Sequence, residues 1–69
     1  MKLSARNQFT GRIKEVKLGN IMAEVIIDIG GGHEVVAAIT RGSAEGLGLV
    51  QGNAVTAVIK ATEVLVAKD

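Results

Sequence analysis

The sequence predicts an all-β fold, a five-stranded OB-like Greek-key barrel with one short helical turn between strands three and four. Three observations predict this fold. Apolar and polar residues alternate over several short stretches, which is the periodicity of β-strands. Turns rich in glycine and asparagine separate these stretches, and only one connection is long enough to hold a helical turn. A small open β-sandwich built from the same strands is the alternative.

The first strand is predicted over about residues 8–18. Its apolar residues change parity between Ile13 and Val16, and such a shift indicates a β-bulge or a sharp bend. Gly19 and Asn20 follow as a turn, because both residue types tolerate positive φ.

The second strand is predicted over residues 21–29 and is apolar on one face and half apolar on the other. A strand of this kind is usually covered on both sides, which suggests a contact between subunits. Three consecutive glycines then form a hairpin loop, and the third strand covers residues 33–40.

The alternation stops after the third strand. Thr40 or Ser43 can cap a short helical turn that runs through Leu47, and we expect Leu47 and the neighbouring Leu49 to fill the core. The fourth strand is predicted over residues 54–60. The fifth strand is then predicted over residues 63–67.

The composition predicts a single domain, residues 1–69, that associates with copies of itself. A chain of 69 residues buries only about 60% of its unfolded surface and is marginally stable alone. The absence of cysteine excludes disulfides and thiolate metal sites, and a single histidine excludes a histidine cluster within one chain. Because 48% of the residues are hydrophobic, oligomerisation is the remaining means of stabilisation.

No feature of the sequence predicts catalysis, so we expect a protein that is not an enzyme. His33 is the only imidazole and lies beside three glycines, as a solvated loop residue would. The acidic residues are scattered without a spacing suited to acid–base chemistry. No apolar run approaches the length of a membrane span, and the N-terminus has no secretory h-region. We therefore expect no membrane partner and a cytoplasmic location.

Nucleic-acid binding is one alternative function for a small barrel. Proteins that bind single strands stack bases on aromatic side chains beside a basic groove. Phe9 is the only aromatic residue and has the parity of a core residue, and eight basic residues are offset by seven acidic ones. We therefore expect no nucleic-acid partner. A structural module that oligomerises without a ligand is a further alternative.

Two stretches have the chemistry of a small oxyanion site, which uses hydroxyls, backbone N–H groups and cations and keeps carboxylates away. Residues 4–8 read SARNQ, with a hydroxyl, a guanidinium and two amides. Lys60, Ala61 and Thr62 follow the fourth strand, and Thr40 adds a hydroxyl at another strand end. The alternatives are a solvated terminus and a solvated strand end.

Three segments of the sequence resemble the molbindin (Mop) family of small cytoplasmic molybdate-binding proteins. These segments are SARNQFTGRI, AITRGSAEGLGLVQGN and VIKATEVLVA, and their order and spacing fit over nearly the whole chain. The resemblance implies no cofactor, molybdate or tungstate as the ligand, and intracellular storage or homeostasis as the function. It also implies a homohexamer, built as a trimer of dimers, with anions held between subunits.

The resemblance also implies roles for individual residues. Ser4, Ala5 and Arg6 face the anion from one subunit, and Thr40, Lys60 and Ala61 come from a neighbour. The hydroxyls of Ser4 and Thr40 donate hydrogen bonds, Arg6 and Lys60 supply charge, and the two alanines offer backbone N–H groups.

Some family members have serine at the position of Ala61, so this chain lacks one hydroxyl there unless Thr62 supplies it. The resemblance further implies a second kind of site near the threefold axes. We place that second site around Gly19 and Asn20.

Overall fold

A computed structural model describes residues 2–69 as one curled, antiparallel sheet with a short helix against it. The strand order across the sheet is β3-β2-β1-β4. The elements are β1 (Asn7–Leu18), β2 (Met22–Gly30), β3 (His33–Thr40), α1 (Arg41–Gly46), β4 (Ala54–Ile59) and a 3-10 turn (Ala61–Glu63).

The long first strand organises the sheet because its two halves pair with different neighbours. The N-terminal half pairs with β4, from Asn7 opposite Ile59 to Arg12 opposite Ala54. The C-terminal half pairs with β2, and the register shifts between Ile13 and Glu15. This shift is the predicted β-bulge, and it lets the sheet curl at the middle of β1.

Gly11 lies at the same bend and is required there by close packing. A Cβ atom at this position would lie 2.3 Å from the main-chain oxygen of Asp28 and 3.1 Å from the Cγ2 of Ile27. Any other residue would force β1 and β2 apart at the point where the sheet curls.

The core lies on the concave face and is small. Its central cluster consists of Ile13, Val25, Ile27 and Ala57, each at most 6% exposed. Partly buried apolar side chains from β1, β2, β3 and β4 surround this cluster, together with Leu49. The apolar face that alternation predicted for the second strand is its inward face, with Ala23, Val25 and Ile27 buried.

The helical turn between the third and fourth strands is confirmed, with Thr40 rather than Ser43 as its N-cap. The Thr40 side-chain oxygen accepts a hydrogen bond from the Ser43 backbone N–H at 3.0 Å. Ala44 is the buried residue of α1. Leu47 was expected in the core but is 72% exposed, because it follows the last turn of α1 and only Leu49 reaches the cluster.

The predicted fifth strand is not confirmed, because within residues 2–69 the structure has four strands in a single sheet. After β4 the chain makes a 3-10 turn, and residues 64–69 form no ladder with the sheet. Leu65 and Val66 are 92% and 93% exposed. The physical reason is that the turn directs this segment away from its own sheet, so a strand-like sequence has no partner strand.

Phe9 is a second correction, because it has the inward parity but is 42% exposed. It lies opposite the core residue Ala57 in the β1–β4 ladder, yet its larger side chain remains partly open to solvent. Within residues 2–69 the structure holds no helix with the length and hydropathy of a membrane span.

Candidate functional site

The predicted site residues lie at two opposite ends of the curled sheet. Asn7 pairs with Ile59 at one end of the β1–β4 ladder, so residues 4–6 and residues 60–61 leave the sheet side by side. Thr40 pairs with Met22 at the far end. We call the first region the terminal end and the second the Thr40 end.

The segment before β1 is curled by its own side chains. Gln8 donates from Nε2 to the main-chain oxygen of Ala5 at 2.7 Å, which closes a bend over residues 5–8. Ala5 is half-buried, whereas Ser4 and Arg6 are exposed. The polar stretch SARNQ is thus a shaped segment with its hydroxyl and guanidinium directed to solvent.

The segment after β4 turns sharply at Lys60. Lys60 itself is extended, with φ −62° and ψ 130°, and its main-chain oxygen accepts from the N–H of Glu63 at 2.9 Å. A longer bond of 3.3 Å joins the N–H of Val64 to the oxygen of Ala61. All residues of this turn are exposed.

The charges of the terminal end are unbalanced. Elsewhere the cations have partners: Lys14 with Glu34 at 2.7 Å, Lys17 with Glu24 at 3.9 Å, Arg41 with Glu45 at 2.8 Å, Arg12 with the Gly52 oxygen, and Lys68 with the Asp69 oxygen. Among the described residues, Lys2, Arg6 and Lys60 have neither an ion pair nor a side-chain hydrogen bond. These three cations all lie in or next to the terminal end, and only one carboxylate, Glu63, is close in sequence.

At the Thr40 end, the side chains of Thr40 and Arg41 already form hydrogen bonds with neighbouring groups of the same chain. The Thr40 hydroxyl caps α1 and donates to the Ser43 Oγ at 2.7 Å. Arg41 donates from its side chain to the Gly19 oxygen at 3.2 Å and from its backbone to the Ile21 oxygen at 2.7 Å. In the turn predicted as a second site, the main-chain oxygen of Gly19 is therefore already bound to Arg41.

Two roles were not predicted from the sequence. Gln8 shapes the SARNQ segment, and Ser43 takes up the Thr40 hydroxyl hydrogen. The Thr-x-x-Ser spacing of a helix cap could have indicated the second role. The role of Gln8 depends on a bend over residues 5–8 that appears only in the folded chain.

The concave face carries an open apolar groove of about 550 Å³. It lies between the two unpaired edges of the sheet, β3 and β4. Ile13, Val25, Ile27, Ala37, Ile39, Leu47, Leu49 and Val55 are among the residues that line it. Asn53 and Thr56 are its polar lining residues and no charged residue lines it, so the groove and the cationic terminal end are different kinds of site.

A polar cleft of about 460 Å³ surrounds the β2–β3 hairpin tip and includes Lys14, Asp28, His33 and Glu34. The Glu34 carboxylate raises the pKa of Lys14, first through a hydrogen bond and then through its charge. In the part of the chain that the structure describes, no three residues among His, Asp and Glu group into a metal site.

Comparisons with known proteins identify the family. Residues 3–66 match the TOBE domain. The chain is 46% identical over 66 residues to molybdenum-pterin-binding protein 3 of Clostridium pasteurianum, covering 96% of this chain and 97% of that protein. Its structure superposes on a molybdate-binding protein from Sporomusa ovata with a TM-score of 0.91 and 47% identity, over 99% and 100% of the two chains.

A longer relative contains the same unit. The cytoplasmic molybdate-binding protein ModG, with molybdate bound, matches with a TM-score of 0.83 and 48% identity, over 88% of this chain and 43% of ModG. The resemblance that the three sequence segments indicated is thus confirmed over nearly the whole chain. This chain belongs to the TOBE domain family, within the group of molybdenum-pterin-binding and molybdate-binding proteins.

Proposed function

We propose that this chain binds molybdate or tungstate in a homo-oligomer and serves in intracellular molybdate storage or homeostasis, without catalysis. The main observation behind this proposal is that Arg6 and Lys60 lie side by side where β1 begins and β4 ends. Neither has an ion pair among the described residues. The relatives named for molybdate and molybdenum-pterin support the choice of anion. Residues 1–69 act as one binding domain in this proposal.

The chemistry of the terminal end suits a tetrahedral dianion. Arg6 and Lys60 supply the charge, Ser4 a hydroxyl donor, and Ala5 and Ala61 backbone N–H donors. Hydrogen bonds that involve a charged partner contribute about 1.5–3 kcal/mol each. A few of them are enough for micromolar binding after the costs of desolvation and ordering.

Thr40 can join this site only from another copy of the chain, because its own end of the sheet is distant from Arg6 and Lys60. We take Lys60 and Ala61 to act with Arg6 of the same chain, because Asn7 pairs with Ile59 at the end of the β1–β4 ladder. The subunit division that the resemblance implies assigned them to the neighbour with Thr40. We propose that a second copy brings its Thr40 end, and the adjoining Gly19–Asn20 turn, toward the anion sites.

The exposed surface of the chain supports an oligomer. A compact monomer of 7.1 kDa is expected to expose about 4,100 Å², whereas this chain exposes 5511 Å². The excess of about 1,400 Å² is larger than the roughly 800 Å² that each partner buries in a standard interface. We expect the complete assembly to be a hexamer, a trimer of dimers.

The groove and the C-terminal segment supply a complementary pair of surfaces. The groove is apolar and open between the unpaired edges of β3 and β4, and residues 64–66 are exposed, apolar and extended away from it. We propose that residues 64–67 of a second copy add a strand between these edges. The fifth strand of the barrel would then come from a partner, as in domain swapping.

The preference for molybdate over sulfate should come from cavity size, because the two anions share charge and shape. A pocket sized for the larger anion leaves sulfate with stretched hydrogen bonds. This predicts discrimination without any additional charge at the site.

Calorimetric titration of the purified protein with molybdate, tungstate and sulfate tests the proposal. Molybdate should bind at least about tenfold more tightly than sulfate, and Lys60→Gln should weaken molybdate binding about 10- to 100-fold. Lys14→Gln is the matched control, because Lys14 is exposed and lies in the middle of β1, away from both ends of the sheet. Equal binding of molybdate and sulfate, or loss of affinity in both variants, would contradict the proposed site.

A further inference from the structure

We propose that the bound oxyanion locks the exchange of C-terminal segments, so that anion occupancy sets the rate at which subunits separate. This inference rests on the proposed function and concerns the regulation of the same site. We call the point at which the C-terminal segment leaves its own sheet for that of a second copy the crossover. The proposed anion-binding residues and this crossover occupy the same few positions of the chain.

The crossover begins at Lys60. β4 ends at Ile59, the 3-10 turn occupies Ala61–Glu63, and the segment that leaves the sheet begins at Val64. Lys60 and Ala61 therefore carry two of the proposed anion contacts and are also the first residues of the crossover. A ligand that fixes their backbone fixes the direction in which the C-terminal segment leaves.

The protein's own contacts hold the crossover weakly. Its turn has backbone hydrogen bonds of 2.9 and 3.3 Å, no side-chain cap and no buried residue. The segment that curls before β1 is held by one side-chain bond, from Gln8 to Ala5. Few contacts oppose local opening, so this region belongs to the least stable part of the structure.

The charges add a second reason. Arg6 and Lys60 are like charges at adjacent ends of paired strands, and no acidic side chain pairs with either among residues 2–69. Their repulsion favours separation of the two segments when the site is empty. A dianion between them replaces repulsion with two attractive contacts and holds the start of the crossover against the start of β1.

The size of the effect follows from linkage. A ligand that binds only the assembled form favours that form by the factor 1 + [L]/Kd, which is about 100 at a free concentration of 100 Kd. Because separation requires the crossover to open, we expect saturating molybdate to slow subunit exchange at least tenfold. Molybdate should bind more weakly when the subunits are held apart, since coupling is reciprocal.

Subunit exchange between two fluorescently labelled pools of the full chain measures this directly, with fluorescence transfer as the readout. Exchange should be at least tenfold slower in saturating sodium molybdate than in sodium sulfate of equal ionic strength. Lys14→Gln, which changes a cation in the middle of β1, should retain the slowing. Lys60→Gln should lose the slowing by molybdate. Without anion, the Lys60→Gln chain should exchange subunits no faster than the unsubstituted chain, because one of the two repelling charges is gone.

The outcomes separate this inference from the proposed function. If calorimetry shows molybdate binding but exchange is equally fast with and without it, the lock is absent while the binding function stands. If neither binding nor slowing occurs, both proposals fail. If Lys60→Gln exchanges faster than the unsubstituted chain without anion, Lys60 supports the assembly by itself and the lock is overturned.

Discussion

The terminal end and the Thr40 end contain similar residue types but differ in how those residues are used. Each has an arginine and a hydroxyl at the end of a strand. At the Thr40 end, Arg41 binds Glu45 and two main-chain oxygens, and Thr40 binds Ser43. At the terminal end, Arg6 and Lys60 bind nothing among the described residues. A suitable set of donors indicates a ligand site only where the fold leaves those donors free.

The difference arises from connectivity. At the Thr40 end the chain continues directly, through the Gly19 turn on one side and through α1 on the other, so neighbouring carbonyls and carboxylates satisfy the donors. At the terminal end both strands lead out of the sheet, one from the N-terminal segment and one into the exposed C-terminal segment. Within residues 2–69, no further element returns to pair with these cations.

Gly11→Ala should have the largest effect, because Gly11 lies at the bend that joins the two ends. The new methyl group would meet the Asp28 carbonyl at 2.3 Å, so we expect a loss of about 3 kcal/mol in the free energy of unfolding. Urea denaturation measures it. Gly42→Ala is the matched control, since Gly42 has open space around it, and it should be neutral or slightly stabilising. Equal effects of the two substitutions would contradict the packing at the bend.

Removal of residues 64–69 should have the next largest effect, on assembly rather than on the fold of one chain. The shortened chain should sediment as a monomer, because the groove would lose its proposed occupant. Removal of Lys68 and Asp69 alone is the control and should leave the oligomer intact. A shortened chain that still forms the full oligomer would show that other surfaces hold the subunits together.

Arg6→Gln and Arg41→Gln test the comparison between the ends most directly. Arg6→Gln should weaken molybdate binding about 10- to 100-fold with little change in stability, because a free charge is lost. Arg41→Gln should lower the free energy of unfolding by about 1 kcal/mol with less than about a threefold change in affinity. Calorimetry and urea denaturation on both variants measure these quantities. The opposite pattern would mean that the anion binds at the Thr40 end.

Thr40→Val and Ser43→Ala separate the two uses of the Thr40 hydroxyl. Thr40→Val removes the helix cap and should cost about 1 kcal/mol in urea denaturation. It should also weaken molybdate binding if Thr40 reaches the anion from a second copy. Ser43→Ala keeps the backbone N–H that Thr40 caps and frees the Thr40 hydroxyl hydrogen, so affinity should not fall. If Ser43→Ala alone lowered the affinity for molybdate, Ser43 rather than Thr40 would be the hydroxyl that donates to the anion.

The smallest effect is expected at the exposed pair of Lys14 and Glu34. The Glu34 carboxylate raises the pKa of Lys14 above its usual value of 10.5. The pair therefore adds stability that is fully present below pH 10.5 and is lost as pH rises through the higher pKa of the folded state. Glu34→Gln should remove this loss of stability at alkaline pH. It should leave the urea midpoint at pH 7 nearly unchanged, because an exposed ion pair contributes little. A large change at pH 7 would show that the hairpin tip depends on the pair.

The amino-acid sequence was sufficient for the first four strands, the bulge, the hairpin and the short helix. Each depends on neighbours a few residues apart: alternation defined the inward face of β2, and the two candidate caps, Thr40 and Ser43, both lie at the start of α1. The segments SARNQ and Lys60-Ala61 were also marked by sequence as oxyanion candidates. Their chemistry is local, since it resides in side-chain types rather than in contacts.

Only the tertiary structure decided which candidates come together and which donors remain free. Arg6 and Lys60 are more than fifty residues apart in the chain, and the pairing of Asn7 with Ile59 makes them neighbours. The fifth strand is not confirmed for the same reason, because residues 64–67 pair with neither open edge of their own sheet. Local pattern determines what a segment can form, whereas long-range pairing determines whether its hydrogen-bonding groups are satisfied or left for a ligand or a second copy.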